Sequence, residues 1–95
     1  MKQVRFKQWN CLLDIRHYEN NRTALLLIDA EDHSPVATAT VNLPDVELKS
    51  NEVIIKDYSE NEGMLAALIA AGIVGKPIWY AKTGFVTCPI CPLLV

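Results

Sequence analysis

At 95 residues the chain is long enough for one domain and no more. Hydrophobic residues make up 51% and charged residues 21%, which excludes disorder. The formal net charge of -2 fits neither a strongly basic nucleic-acid binder nor a polyanionic DNA mimic.

So short a chain buries only about two-thirds of its unfolded surface, so apolar surface is left to hide and self-association, as a dimer, is expected. Met1-Lys2-Gln3-Val4-Arg5 leads into mixed polar sequence, not an apolar leader. The longest apolar stretch, Met64 to Val74, is too short to span a bilayer and is broken by Gly72. The three cysteines are an odd number, which argues against a disulfide framework. The expected setting is a reducing cytoplasm, with no membrane contact.

The first clear element is a strand in which Trp9, Cys11, Leu13, Ile15 and His17 alternate with Asn10, Leu12, Asp14, Arg16 and Tyr18. The first set reads as the core face, with His17 partly buried on it, and the second as mostly wet. Glu19-Asn20-Asn21 is turn chemistry, because asparagine tolerates positive φ. Thr23 to Asp29 is apolar on both faces, which predicts a central strand covered on both sides or meeting a partner. A polar turn over Ala30 to Pro35 follows, with a solvated His33. Val36 to Val41 then reads as a third strand, with Thr38 and Thr40 sharing its outer face. Asp45 to Asn51 reads as a loop or weak strand, and Val53 to Lys56 as a short strand.

Ser59 and Glu62 have the spacing of a capping box at the start of a helix, with Glu60 complementing the helix dipole. Met64, Leu65, Leu68 and Ile69 form its apolar stripe, and Ala66, Ala67, Ala70 and Ala71 favour helix and close packing. Gly72 fits the left-handed position after the helix, with Ile73 placed to touch Leu68. Ile78 to Ala81, a turn over Lys82-Thr83-Gly84, and Phe85 to Cys88 read as a closing hairpin. The tail from Pro89 to Val95 is nearly all apolar and is kept extended by Pro89 and Pro92. It is read equally as a cover for the sheet or as an oligomer contact. The predicted fold is α+β: one antiparallel sheet of five to six strands with one helix on one face, in the order β-β-β-β-α-β-β, in a single domain over residues 1–95.

Three segments carry a resemblance. They are Tyr18-Glu19-Asn20-Asn21-Arg22, Ala39-Thr40-Val41-Asn42-Leu43-Pro44, and Lys56 to Gly63 followed by Leu68 and Ala71-Gly72-Ile73. Gly84-Phe85-Val86 and the late Cys-Pro are consistent with them. Across nearly the whole chain the combination resembles a family of small domains of unknown function carried by bacterial plasmids, integrated elements and phages. The resemblance implies genomic context and no activity. Small proteins on such elements often bind host or element proteins, defence systems among them.

The polar junction Asp57 to Gly63 is the strongest candidate site. Capping needs explain most of it, since first-turn N–H groups lack helical partners. Asp57, Tyr58, Glu60, Asn61 and Gly63 form the candidate protein-binding surface. Gly63 is unexpected in a first turn and suggests close approach of a backbone or ligand.

Cys88-Pro89-Ile90-Cys91 is half of a zinc or redox motif, and the alternative reading is a zinc-binding protein or small enzyme using Cys88, Cys91, Cys11 and His17. No second such pair exists, and buried structural thiols are the favoured reading. No cofactor is expected, since no phosphate-cradling glycine loop occurs. Nucleic-acid binding through Lys2, Arg5, Lys7, Trp79 and Tyr80 is the weakest alternative, because Trp79, Tyr80 and Phe85 lack basic neighbours and suit a core better. The expectation is a non-enzymatic protein-binding module with an unidentified protein partner.

Overall fold

A computed structural model describes residues 1–95. Four strands come first: β1 (Gln3–Phe6), β2 (Trp9–His17), β3 (Thr23–Asp29) and β4 (Pro35–Thr38), paired in that order as an antiparallel meander. Then come β5 (Glu52–Ile54), a tight turn over Ser59–Asn61, helix α1 (Met64–Ala70), β6 (Trp79–Thr83) and β7 (Val86–Pro92). These last three strands form a second antiparallel sheet, ordered β5-β7-β6. The fold is α+β with one helix, as the sequence predicts, but it has two sheets in place of one.

The division has a local cause. β4 pairs with β3 only as far as Thr38, after which the chain turns toward the second sheet. Thr40 bridges Ile55, the Val41 amide donates to the Ile54 carbonyl, and the Lys56 amide donates to the Ala39 carbonyl. One continuous segment therefore closes the first sheet and opens the second. Thr40 is buried by this crossing and does not share an outer face with the exposed Thr38.

The main core lies between the sheets and the helix. Phe6, Leu13, Leu25 and Leu27 enter it from the first sheet, Val53, Ile55 and Cys91 from the second, and Met64 and Leu68 from α1. The helix stop is the one the sequence specifies. The Ile73 amide bonds to the Leu68 carbonyl and the Gly72 amide to the Ile69 carbonyl, which is the double bond pattern of a Schellman cap. β2 extends past this core, so Ile15 and His17, on its inward parity, stay exposed. The outer face of β3 is open: Leu26 and Ile28 are half-buried against their strand neighbours.

The second sheet is covered on both faces. Its other side carries Ile54, Ala81, Cys88 and Ile90 beneath Val41, Leu43, Val46 and Leu48. The apolar tail is thus the central strand of this sheet and not a peripheral cover. Pro89 is tolerated there because β5 ends opposite it. Its carbonyl accepts the Ile55 amide at 2.9 Å, and it has no N–H to return.

The covering loop is held by one side chain. The Arg22 guanidinium donates to the Leu43 carbonyl at 2.7 Å and also to the Val46 carbonyl, while Asn20 donates to Asn42 at 3.1 Å. Bonds from a charged donor to partly buried carbonyls are worth roughly 1.5–3 kcal/mol each to break. Arg22→Ala is expected to cost about 2 kcal/mol in urea unfolding and to speed amide exchange selectively over residues 41–48. Uniform exchange along the chain would separate Arg22 from the loop.

Candidate functional site

The junction is built differently from a capping box. Ser59 has φ +55 and opens a tight turn in which the Asn61 amide bonds to the Tyr58 carbonyl and the Glu62 amide to the Ser59 carbonyl. The helix starts only at Met64, with Gly63 as its N-cap residue at φ +96 and no cap from Ser59. Asp57 does the capping. Its Oδ1 accepts the Gly63 amide at 3.1 Å and the Leu65 amide at 3.0 Å. A capping box needs Ser59 in extended geometry, and the tight turn takes that geometry away.

Each predicted site residue can now be placed. Asn61 is 2% exposed and donates from Nδ2 to the Thr38 carbonyl at 2.7 Å, so it fastens the junction to the end of β4. Gly63 has open space where a Cβ would stand, so its positive φ requires glycine and no close approach does. Tyr58 is half-buried against the second sheet's small core.

Glu60 is the one predicted residue with an exposed side chain. Its carboxylate pairs with Lys56 at 2.7 Å instead of meeting the helix dipole, and its carbonyl accepts Lys7 Nζ at 2.8 Å. The Lys56 ammonium holds the Glu60 carboxyl below the usual carboxylate range, and the same bond raises Lys56. Lys56 also sits 5.6 Å from the Tyr58 ring centre.

Lys7 and Trp9, which the sequence assigns to a basic patch and to the core face of β2, lie at this junction instead, with Trp9 exposed. Lys7 occupies the β1–β2 turn at φ +53 and lies 5.2 Å from the Phe6 ring centre, and Phe6 stacks on Trp9. The exposed surface at the junction is therefore Ser59, Glu60, Glu62 and Gly63, flanked by Lys7, Trp9 and the half-buried Tyr58. The missed signal was the two-residue spacing between Phe6 and Trp9, which makes Lys7-Gln8 a hairpin turn.

A second cluster was also missed. Trp79, Tyr80 and Phe85, expected in the core, are exposed. The hairpin turn is Gly84-Phe85, closed by Thr83 opposite Val86, which puts Phe85 at the tip. Gly84 has φ +56, and glycine at the first of two turn residues was the available signal.

The basic residues do not converge with these aromatics. Arg5 is spent on Asn10 and the Lys7 carbonyl, and β1 and β6 are edge strands of different sheets. The largest hollow, about 570 Å³ between β1–β2 and the alanine face of α1, contains none of the junction residues.

The cysteines are separated by the strand period. Cys88 enters the small outer core and Cys91 the main core, on opposite faces of β7. Cys11 is a third buried free thiol, and His17 is exposed at the far end of β2. No group of three His, Cys, Asp or Glu side chains is placed to hold a metal ion. Burial pushes all three thiols up, and Cys91, with Asp57 adding repulsion, reaches about 11. No helix is long and apolar enough to cross a membrane. No family model, curated protein or solved structure matches the chain.

Two outcomes are expected. Asp57→Ala should cost about 1–2 kcal/mol in denaturant unfolding while Ser59→Ala stays within about 0.5 kcal/mol; equal costs would restore the capping box. The raised thiol values stabilise the fold fully below the ordinary thiol range, and this stabilisation is lost as pH rises toward about 11. Alkaline titration of Tm should therefore fall across that window, and a thiol reagent should label the native protein only as fast as it unfolds. Rapid native labelling would contradict the burial.

Proposed function

We propose that the chain is a non-enzymatic, cytoplasmic protein-binding module of a phage or other mobile element, self-associating as a dimer. Its partner is a host or element protein, with counter-defence as the role that its resemblance to domains on such elements suggests. The contact surface is the exposed part of the junction: Tyr58, Glu60 and the backbone at Gly63, extended by Lys7 and Trp9. Asp57 and Asn61 act as its internal supports.

The observation that carries this reading is the bond from Lys7 Nζ to the Glu60 carbonyl. It joins two turns distant in sequence, both held at positive φ, into one rigid surface with an exposed aromatic and both signs of charge. Pre-organised aromatic and charged groups of this kind suit a protein contact, because little side-chain entropy remains to be lost on binding.

Capture from host lysate followed by mass spectrometry identifies the partner, and titration of that partner tests the surface. Trp9→Ala and Glu60→Arg are each expected to weaken binding at least about tenfold with the native circular dichroism spectrum retained, while Arg16→Ala at the far end of β2 has no effect. Wild-type affinity in both junction variants would remove this surface from the proposal.

A further inference from the structure

We infer that the free edge of β6 is the self-association surface, and that two copies join by antiparallel β6–β6 pairing in one register. This rests on the self-associating part of the proposed function and names its surface and geometry.

The edge is open by strand parity. In β7 the Pro89 carbonyl points to the β5 side, where it takes the Ile55 amide, and the Ile90 carbonyl points to the β6 side, where it takes the Ile78 amide. Even-numbered residues of β7 therefore face β6. They stand opposite Trp79, Ala81 and Thr83. Tyr80 and Lys82 consequently turn their N–H and C=O groups outward, away from β7. No backbone bond leaves β6 on that side, and β6 is the last strand of its sheet.

Large apolar side chains gather along this edge. Ile78, Trp79 and Tyr80 are 59%, 41% and 57% exposed, and Phe85 at the hairpin tip is wholly exposed. An unpaired edge of this composition pairs with another strand unless something prevents it, and a lysine in the edge is the usual preventive. Lys82 is the only charge within β6.

A second copy offers the same open edge in antiparallel order, and the single charge, Lys82, selects among its registers. Two outward residues per strand allow three antiparallel registers. Placing Lys82 against the partner's Lys82 sets like charges face to face. Placing Tyr80 against the partner's Tyr80 leaves each Lys82 opposite the partner's Ile78, whose amide is already taken by Ile90.

The third register sets Tyr80 against the partner's Lys82, twice, about a two-fold axis at Ala81. Both bonded pairs then exchange two N–H···O bonds, and each lysine stem lies along a tyrosine ring. Ala81, small and buried, meets the partner's Ala81 at the close non-bonded position, and Trp79 lies beside the partner's Thr83. The hairpin tip carries Phe85 toward the partner's Pro77 and Ile78. The two three-stranded sheets become one of six.

Sedimentation across about a hundredfold range of concentration tests this, with circular dichroism and Tm as fold controls. The wild type is expected to dimerise. Tyr80→Lys, which sets lysine against lysine at both pairs, is expected to weaken the dimer at least about tenfold with the fold intact. Adding Lys82→Glu to Tyr80→Lys converts both clashes to opposite-charge pairs and is expected to restore the dimer. Lys82→Pro removes an outward N–H that the monomer does not use, and is expected to give a monomer.

A wild-type monomer throughout would overturn self-association and this surface together. A dimer that survives Tyr80→Lys or Lys82→Pro would overturn the β6 edge alone, leaving the open face of β3 as the contact. Failure of the double variant to recover would overturn the register.

Discussion

Residues 38–41 are one extended segment that must satisfy two sheets. The Ala39 amide bonds back to Leu25 in the first sheet, while the Ala39 carbonyl and the Val41 amide bond forward to the second. Thr40 sits at the crossing, buried, with its hydroxyl receiving the Leu25 amide and bonded to the Tyr18 hydroxyl. The Thr38 carbonyl, left without a ladder partner where β4 ends, is taken by Asn61. Buried backbone groups cannot be left unpaired without a penalty of roughly 1–3 kcal/mol each, so every one of these bonds restricts what lies beside it. The junction and the start of the covering loop both answer to this seam.

The seam also explains why the polar residues that looked available for function are only partly so. The Tyr18–Arg22 turn, the segment 39–44 and the junction are distant in sequence and adjacent here. Tyr18 bonds Thr40, Asn20 bonds Asn42, Arg22 holds the loop that follows, and Asn61 holds Thr38. With the Lys56 amide on the Ala39 carbonyl, these three segments form one hydrogen-bonded unit. At the junction that unit leaves Ser59, Glu60, Glu62 and Gly63 exposed and Tyr58 half-buried, joined by Lys7 and Trp9 from the β1–β2 hairpin. The other exposed aromatics belong to the β6–β7 hairpin.

Much of the fold was legible because it is written in local periods. The alternation from Trp9 to Tyr18 gave β2, the apolar run from Thr23 gave β3, and the 3.6-residue stripe ending at Gly72 gave α1 and its stop. The candidate site was legible as a segment but not as a set of roles. Ser59 and Glu62 matched a spacing that caps many helices, yet Asp57 lies far enough upstream to reach Gly63 and Leu65 once the turn at Ser59 forms. A spacing rule does not register that turn. Phe85 was placed in a strand because the hairpin turn was set two residues early.

The sequence by itself determined the α+β class, the helix and its Schellman stop, and the presence of a closing hairpin. These depend on interactions spanning a few residues, and residue type decides them. Tertiary structure decided that there are two sheets, that the apolar tail is a central strand, that Cys88 and Cys91 face apart, and that Asn61 is a fastener. Those outcomes depend on pairings between residues far apart in sequence, such as Asn61 with Thr38 and Thr40 with Ile55. Many partners are chemically equivalent for a strand edge or a buried carbonyl, and only the packed chain selects among them.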